Sequence, residues 1–248
     1  MSAQPKLVLH VVPFSHPCLA VSAALDRAGL EYETVTLPIG EQGDEIERIY
    51  GTGRRTVPAL LVDDEPVHGT VPIFNRVDEL SAEAELYPEA LAGAIREAEE
   101  GLAEDLQTAA RVLTFGALHF RPESIGSFGG GGALDPAGTD YAIRMVRGAW
   151  RYLEISAERI AAQLSGLTEL LDIADELVDG GVICGEAPTA VDFQIGSSLQ
   201  LLMAVGDLRP AIAGRPCGAL VGELFEPSPA DIPAGAFPAG WAPEPVAG

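Results

Sequence analysis

Cysteine is scarce in this sequence of 248 residues, which contains only Cys18, Cys184 and Cys217. Three cysteines are too few, and odd in number, for a disulfide framework, so we expect a reducing, cytoplasmic setting. The opening stretch MSAQPKLVLHVV has no long apolar run before a small-residue cleavage site, which predicts no signal peptide. No run of about 18 apolar residues occurs either, so the sequence predicts no membrane-spanning helix.

Basic residues are also scarce. The sequence has 15 Lys and Arg against 37 Asp and Glu, a formal net charge of −22. Such a field repels phosphate backbones, which argues against nucleic acid as a partner. The four histidines share no ligand spacing with cysteines or carboxylates, so we expect no metal site. No Gly-Lys-Ser/Thr follows the glycine cluster at 129–132, which argues against a phosphate-binding loop.

Apolar residues make up 47% of the chain, enough for a sizeable core. The first 80 residues alternate between strand and helix patterns in the order β-α-β-α-β-β-α. A strand–helix–strand start requires a parallel pair, and the stretch VPALLVDDEPVHG predicts an antiparallel hairpin. The sequence therefore predicts a mixed four-stranded sheet with helices on its faces.

The strand signal fades after about residue 88, and long stretches rich in Ala, Leu and Glu predict helices. A Gly/Pro-rich segment at 121–140 predicts a long loop, and TAVDFQIGSSLQLLMAVGDL predicts an apolar helix buried on most faces. From Glu223 onward, Pro and Gly predict an extended tail. We expect an α/β domain at 1–82, an all-helical domain at 88–222 and a tail at 223–248.

The turn PFSHPC places Ser15 and Cys18 where the first strand gives way to the first helix. A group at a helix start faces free N–H groups and the positive end of the helix dipole, which acidifies a thiol. In redox proteins a Cys-x-x-Cys pair occupies this place, but here the first position is Ser15, so disulfide exchange is excluded. Alternatively, Ser15 only caps the helix and Cys18 fills the core.

Three further segments carry candidate residues. In GTGRRTVPALLVDD a Val-Pro pair leads a strand, and such prolines are sometimes cis. The preceding Arg54 and Arg55 either meet a peptide carboxylate or lie solvated at the surface. In HGTVPIF, Thr70 offers a hydroxyl and an N–H at a helix start, either for a carboxylate or as a plain cap. In GEAPTAVDF, Thr189 and Asp192 form a capping-box pattern.

Together, PFSHPC, RRTVPALLVDD, HGTVPIF and GEAPTAVDF resemble the glutathione S-transferase superfamily. The resemblance covers about residues 6–80 well and 145–220 more loosely. It implies a thioredoxin-like N-terminal domain with glutaredoxin-like features, followed by an all-helical domain. The family motif usually has alanine at Val191 and an acidic residue at Gly69.

The resemblance also implies a role for each candidate. Ser15 would be the catalytic residue, whose hydroxyl holds the glutathione sulfur as a thiolate. The backbone of Val57, before a cis Pro58, would pair with the cysteinyl part of the tripeptide, and Thr70 would hold the γ-glutamyl carboxylate. Thr189 and Asp192 would be a structural cap. The full set of expected substrate-binding residues is Arg55, Thr56, Val57, Pro58, Gly69 and Thr70, with Cys18 as a secondary thiol.

The function so implied is the transfer of glutathione, or a similar small thiol, to an apolar electrophile by a homodimeric enzyme. The thiol would be a co-substrate, with no covalently bound cofactor. Phe115, Phe120 and Tyr141 are candidates for lining the electrophile pocket, by position only. Two alternatives stay open: a non-catalytic binding protein of the same fold, favoured by Gly69, and a thiol-dependent reductase acting through Cys18.

Overall fold

The structure is a computed structural model of the chain, and it describes residues 4–81, 83–238 and 240–241. In this part of the chain, no helix combines the length and the apolar character needed to cross a bilayer. Two regions follow one another: a sheet with three helices, and then a set of helices.

The N-terminal region has the element order that the sequence predicts. Short runs of branched and large apolar residues form the strands, and the intervening amphipathic segments form the helices. The elements are β1 (Leu7–Val11), α1 (His16–Arg27), β2 (Glu33–Thr36), α2 (Gln42–Tyr50), β3 (Ala59–Val62), β4 (Glu65–His68) and α3 (Thr70–Leu80).

The four strands form one mixed sheet in the order β2-β1-β3-β4. β1 pairs in parallel with β2 and antiparallel with β3, and β3 pairs antiparallel with β4. The β3–β4 turn has positive φ at both Asp63 (49°) and Asp64 (71°), the backbone of a type I′ hairpin turn. This topology confirms the predicted mixed four-stranded sheet. The edge strand β2 is mostly exposed, and its Val35 is half-buried.

Helix α1 begins and ends where local chemistry dictates. The Ser15 side chain accepts the backbone N–H of Cys18, Pro17 lies in the first turn, and Gly29 follows the helix with φ of 65°. Its apolar face, which includes Val21 and Leu25, is fully buried. The helix start is thereby fixed at the end of β1 where the chain turns.

The C-terminal region is all-helical, as predicted, apart from one isolated bridge. The predicted long loop at 121–140 is wrong in part. The segment contains a 3₁₀ turn, a short helix and the start of the next long helix, which Asp135 caps by accepting the N–H of Gly138.

The helices are α4 (Ala92–Ala98), a π-helical turn (Glu99–Ala103), α5 (Glu104–Phe120), a 3₁₀ turn (Pro122–Ser124), α6 (Ile125–Phe128), α7 (Pro136–Tyr152), α8 (Ala157–Asp179), α9 (Ala190–Met203), α10 (Arg209–Ile212), a 3₁₀ turn (Pro216–Gly218) and α11 (Ala219–Leu224).

The π-helical turn carries a buried carboxylate. Glu99 accepts hydrogen bonds from the Tyr87 hydroxyl (2.8 Å) and the Gln194 amide (2.7 Å), and it pairs with Arg96 at 3.1 Å. Burial raises the pKa of this carboxyl, and the three donors oppose that effect. The network ties the first helices of this region to α9.

Helix α9 lies at the centre of the molecule and is buried on most faces, as predicted. It packs against α1 of the N-terminal region and against α5 and α11 of its own. Its buried start is closed by a capping box. Both oxygens of Asp192 are used: one accepts the Cys184 N–H (2.7 Å), and the other accepts the Thr189 N–H and hydroxyl (2.7 Å each).

After α11, residues 225–238 and 240–241 contain no helix, as the Pro and Gly content predicts, but part of this segment is packed against the helices. Ile232 forms a bridge to Val205 and is fully buried, and Phe237 is buried as well. The Asp207 carboxylate accepts the backbone N–H groups of Gly235 (2.6 Å), Ala236 (2.8 Å) and Phe237 (3.1 Å). A single side chain thus holds three consecutive residues of the tail.

The capping box gives a stability prediction. Replacing Asp192 with Ala leaves one buried and one partly buried backbone N–H group and one buried hydroxyl without this acceptor, so we expect a loss of about 2–4 kcal/mol in the free energy of unfolding. Urea denaturation followed by circular dichroism measures it. Asp140→Ala removes an exposed carboxylate from α7 and should change stability by less than about 0.5 kcal/mol. Equal effects of the two substitutions would refute the structural role of the box.

The tail gives a second prediction. Asp207→Ala removes the acceptor of three N–H groups, so the tail should detach locally while the rest of the fold persists. Limited proteolysis should then cut within 225–238 at least about tenfold faster than in the wild-type chain. Asp207→Asn keeps one carbonyl acceptor and should be cut at an intermediate rate. Cleavage at the wild-type rate in Asp207→Ala would show that apolar packing alone holds the tail.

Candidate functional site

Ser15 lies at the junction of β1 and α1, with its side chain at the free end of the helix. Its backbone is extended (φ −80°, ψ 109°), and its Oγ accepts the Cys18 N–H at 3.4 Å, a long hydrogen bond. The preceding Phe14 has φ of 64°, a rare conformation for a bulky residue, and its ring is half exposed. The turn therefore presents the Ser15 hydroxyl where the first-turn N–H groups converge.

Cys18 faces inward. Its side chain is buried, and burial raises the pKa of the thiol, although the Ser15 hydroxyl and the Val12 backbone act in the opposite direction. The thiol is therefore protonated and enclosed at neutral pH. This placement gives it the character of a core residue.

The Val57–Pro58 peptide bond is cis and lies beside the Ser15 turn. His10 is paired with Ala59 across β1 and β3, so the residues after His10 and those before Ala59 lie at one edge of the sheet. The Gly69 N–H donates to the Pro58 carbonyl at 3.1 Å, which brings the start of α3 to the same edge. The structure thus gathers Ser15, Val57 and Thr70 from three separate segments.

At the start of α3 the predicted threonine cap is wrong by one position. The N-cap is Gly69, with φ of 95°, and Thr70 is the first helical residue. Gly69 has no side chain to cap the helix, so the first N–H groups of α3 keep no side-chain acceptor. They remain available to an anionic group.

Arg54 and Arg55, which precede the cis bond, bind to groups of the N-terminal region itself. The Arg55 guanidinium pairs with Asp44 and Glu47 on α2, and Arg54 donates to the Tyr50 carbonyl at 2.9 Å. The Thr56 carbonyl is hydrogen-bonded to the His68 ring at 2.9 Å. A peptide carboxylate would therefore have to compete with two ion pairs for Arg55.

A cavity of about 270 Å³ opens on the other side of Ser15, toward β2. Thr34 of β2, Leu19 of α1 and Leu201 of α9 line it, whereas Val57, Pro58, Gly69 and Thr70 do not. Phe14 and Phe128 meet at its mouth, with ring centroids 5.8 Å apart in an edge-to-face arrangement. The cavity therefore adjoins Ser15 without including the residues that the sequence predicts for peptide binding.

The sequence did not identify most of the residues that line this cavity. Phe115, Phe120 and Tyr141 are not among them. Instead Phe128, at the end of the short helix α6, and Ser228 and Ala230 of the tail contribute. Their positions depend on how the 121–140 segment and the tail fold back, for which the local sequence holds no periodic signal.

A buried histidine follows Ser15 in the same turn. His16 is 6% exposed, and its Nε2 has no hydrogen-bond partner among the described residues. Burial lowers the pKa of His16 well below its usual value, and the charge of Arg111 on α5 adds to the effect. The imidazole is therefore neutral at neutral pH. Over the described residues, no group of three His, Cys, Asp or Glu side chains is arranged to hold a metal ion.

Comparison with known proteins agrees with this geometry. Residues 9–85 match the family model of the glutathione S-transferase N-terminal domain. A comparison with curated protein sequences gives no match.

Solved structures of similar fold are numerous. A glutathione S-transferase from Methylobacterium radiotolerans, in complex with glutathione sulfonate, is 22% identical with a TM-score of 0.59, and the match covers 92% of this chain and 95% of that one. A glutathione transferase from Phanerochaete chrysosporium is 19% identical with a TM-score of 0.55, covering 80% and 85%. A glutathione-bound enzyme from Methylobacillus flagellatus is 17% identical with a TM-score of 0.54, covering 79% and 83%.

The matched segment contains Ser15, the cis Pro58 and Thr70, and the structural likeness extends over both regions. Residues 9–85 are similar to the glutathione S-transferase N-terminal domain, and the chain as a whole shares the fold of these solved glutathione transferases, a thioredoxin-like domain followed by an all-helical one.

Proposed function

We propose that the protein is a transferase that activates glutathione, or a similar small thiol, for attack on an electrophile. One observation carries the proposal: the Ser15 hydroxyl stands at the free end of α1, between an open peptide edge at Val57 and a separate cavity lined mainly by apolar residues. The edge at Val57 suits an extended thiol peptide, and the cavity suits the electrophile. A cytoplasmic location is part of the same proposal.

Ser15 would hold the sulfur of the bound thiol as a thiolate. Its O–H donates to the sulfur, and the N–H groups of the first turn of α1 add favourable dipoles. The Ser15 hydroxyl acts to lower the pKa of the neighbouring Cys18 thiol, although burial outweighs it. A sulfur that is not buried as Cys18 is would be shifted toward the thiolate by such a contact.

The peptide backbone of the thiol would pair with Val57, which precedes the cis Pro58 at the sheet edge where β1 ends and β3 begins. Thr70 and the uncapped N–H groups at the start of α3 would hold a carboxylate. Gly69 supplies no acidic group for the amino end of the thiol. We therefore expect weaker discrimination between thiols that differ at their amino end than a carboxylate at position 69 would give.

The reductase alternative is disfavoured by the burial of Cys18, which is 3% exposed and whose thiol is kept protonated by that burial. The alternative of a non-catalytic binding protein rests on Gly69. It would be established by thiol binding without turnover.

We also propose that the protein is a homodimer and that α7 takes part in the interface. Arg144, Arg147 and Arg151 lie on one exposed face of α7, and no carboxylate of the described chain pairs with them. In a chain of net charge −22, the acidic surface of a second copy is the complementary partner for this face.

The dimer gives a prediction for sedimentation velocity. The association should weaken as NaCl rises from about 0.05 to about 0.5 M. Over this range the Debye length falls through about 10 Å, so charges on the two copies are increasingly screened from each other. Replacing all three arginines with Glu should give a monomer at concentrations where the wild-type chain is a dimer. Arg27→Glu, on an exposed arginine of α1, should leave the dimer intact. A wild-type monomer throughout would refute this part of the proposal.

The role of Ser15 gives the central test. Ser15→Ala should lower kcat/KM for glutathione and 1-chloro-2,4-dinitrobenzene by about 10- to 1,000-fold, because the thiolate loses a hydrogen-bond donor. The rise of the rate with pH should move to higher pH, since the bound thiol becomes less acidic.

The control for Ser15 is Ser156→Ala. Ser156 also caps a helix, accepting the Arg159 N–H at 3.1 Å at the start of α8, so its loss should cost a similar ~1 kcal/mol of stability. It should leave turnover unchanged. Undiminished activity of Ser15→Ala would refute the assigned role, and no turnover or binding with any small thiol would refute the transferase itself.

A further inference from the structure

Val57 lies between two backbone carbonyl groups that the chain holds in place. The Thr56 carbonyl is hydrogen-bonded to Nε2 of the His68 ring at 2.9 Å, and the Pro58 carbonyl accepts the Gly69 N–H at 3.1 Å. The N–H and the carbonyl of Val57 itself have no hydrogen-bond partner among the described residues. The backbone is therefore fixed on both sides of this residue, while its own two polar groups stay free for a ligand.

His68 acts as the donor in its contact with Thr56. A carbonyl oxygen can only accept a hydrogen bond, so the Nε2 atom of His68 must carry a proton and donate it. The Thr56 hydroxyl lies 3.3 Å from the same nitrogen, a longer and weaker contact. The imidazole therefore presents one donor to the residue that directly precedes Val57.

The sheet and a buried tyrosine keep His68 in this position. On β4, His68 is paired with Ala59 of β3, two residues after Val57. The His68 ring lies beside the Tyr50 ring, with centroids 6.2 Å apart and an interplanar angle of 49°. Tyr50 is 3% exposed, and its hydroxyl is hydrogen-bonded to Nδ1 of the buried His10 at 2.8 Å. The donor thus belongs to a strand and a ring that neighbouring groups hold in place.

The rest of the segment at 51–56 is attached to α2 and not to the sheet. The Arg55 guanidinium forms its ion pairs with Asp44 and Glu47 of that helix. Among the described residues, His68 makes the one side-chain contact that joins this segment to β4 by hydrogen bonds. Removing that donor should therefore release the segment on the side next to Val57.

We propose that His68 is a positioning residue for the thiol substrate, because it holds the Thr56 carbonyl and so keeps the free N–H and carbonyl of Val57 aligned for the incoming peptide. This inference rests on the proposed function and adds a residue to its binding site. His68 acts through the backbone and touches neither the sulfur nor the electrophile. Its loss makes the peptide pay for ordering the segment, which weakens binding without changing the chemistry at Ser15.

The test uses two substitutions that separate the hydrogen-bond donor of His68 from its ring. His68→Gln keeps an N–H donor and loses the ring. His68→Phe keeps a ring beside Tyr50 and loses the donor. If the hydrogen bond positions the backbone, His68→Phe is the more damaging change, whereas if ring packing alone matters, His68→Gln is.

Steady-state turnover of glutathione with 1-chloro-2,4-dinitrobenzene is the first measurement. We expect His68→Phe to raise KM for glutathione about five- to tenfold, with kcat and KM for the aryl chloride within about twofold of the wild-type values. His68→Gln should keep KM for glutathione within about threefold of the wild-type value. A KM for glutathione as high in His68→Gln as in His68→Phe, or a loss confined to kcat, would overturn the inference.

The control is His119→Phe. His119 is an exposed histidine at the end of α5 whose ring stacks on Trp150, with centroids 4.3 Å apart. This substitution makes the same chemical change as His68→Phe, on a helix and not on the sheet. It should leave all three constants unchanged, and a rise in KM for glutathione equal to that of His68→Phe would overturn the inference.

Calorimetry with S-methylglutathione separates this inference from the proposed function, because the methylated sulfur cannot react. The wild-type chain should bind it, and His68→Phe should bind it about five- to tenfold more weakly, with His68→Gln in between. That order of affinities without any turnover would support the positioning role while refuting the transferase. Turnover with equal affinities in the three chains would overturn the positioning role alone, and no binding to the wild type would overturn both.

Thermal melting is the third measurement. His68 is half-buried on the edge strand β4, so both variants should melt within about 4 °C of the wild-type chain. A fall of more than about 8 °C in His68→Phe would show that its KM follows from damage to the fold, and would also overturn the inference.

Discussion

The buried start of helix α9 is the constraint on which the rest of the molecule depends. A helix that packs against both regions cannot expose its first N–H groups to water, so the chain must supply the acceptors. Asp192 does this with both carboxylate oxygens, which also fix the Cys184 N–H of the preceding loop. Because α9 packs directly on α1, its fixed start determines where the Ser15 end of α1 lies relative to the helical region.

The starts of α1 and α9 both have free N–H groups that need acceptors, and the two helices differ in how completely the chain supplies them. At α9 the Asp192 carboxylate makes three hydrogen bonds of 2.7 Å and leaves no room for a ligand. At α1 the cap is a single long contact of 3.4 Å from Ser15, and the hydroxyl is partly exposed. The start of α9 is therefore structural, whereas the start of α1 keeps N–H donors that can bind a sulfur or another anion.

The sequence predicted the elements that local patterns encode. Alternating apolar residues, the Asp63–Asp64 turn and the Val-Pro pair are local signals, and the sheet, the hairpin and the segments around Ser15 and Thr70 follow from them. The cavity could not be predicted in this way. Phe128 and Ala230 reach it through a folded-back segment and a docked tail, whose positions depend on contacts distant in sequence.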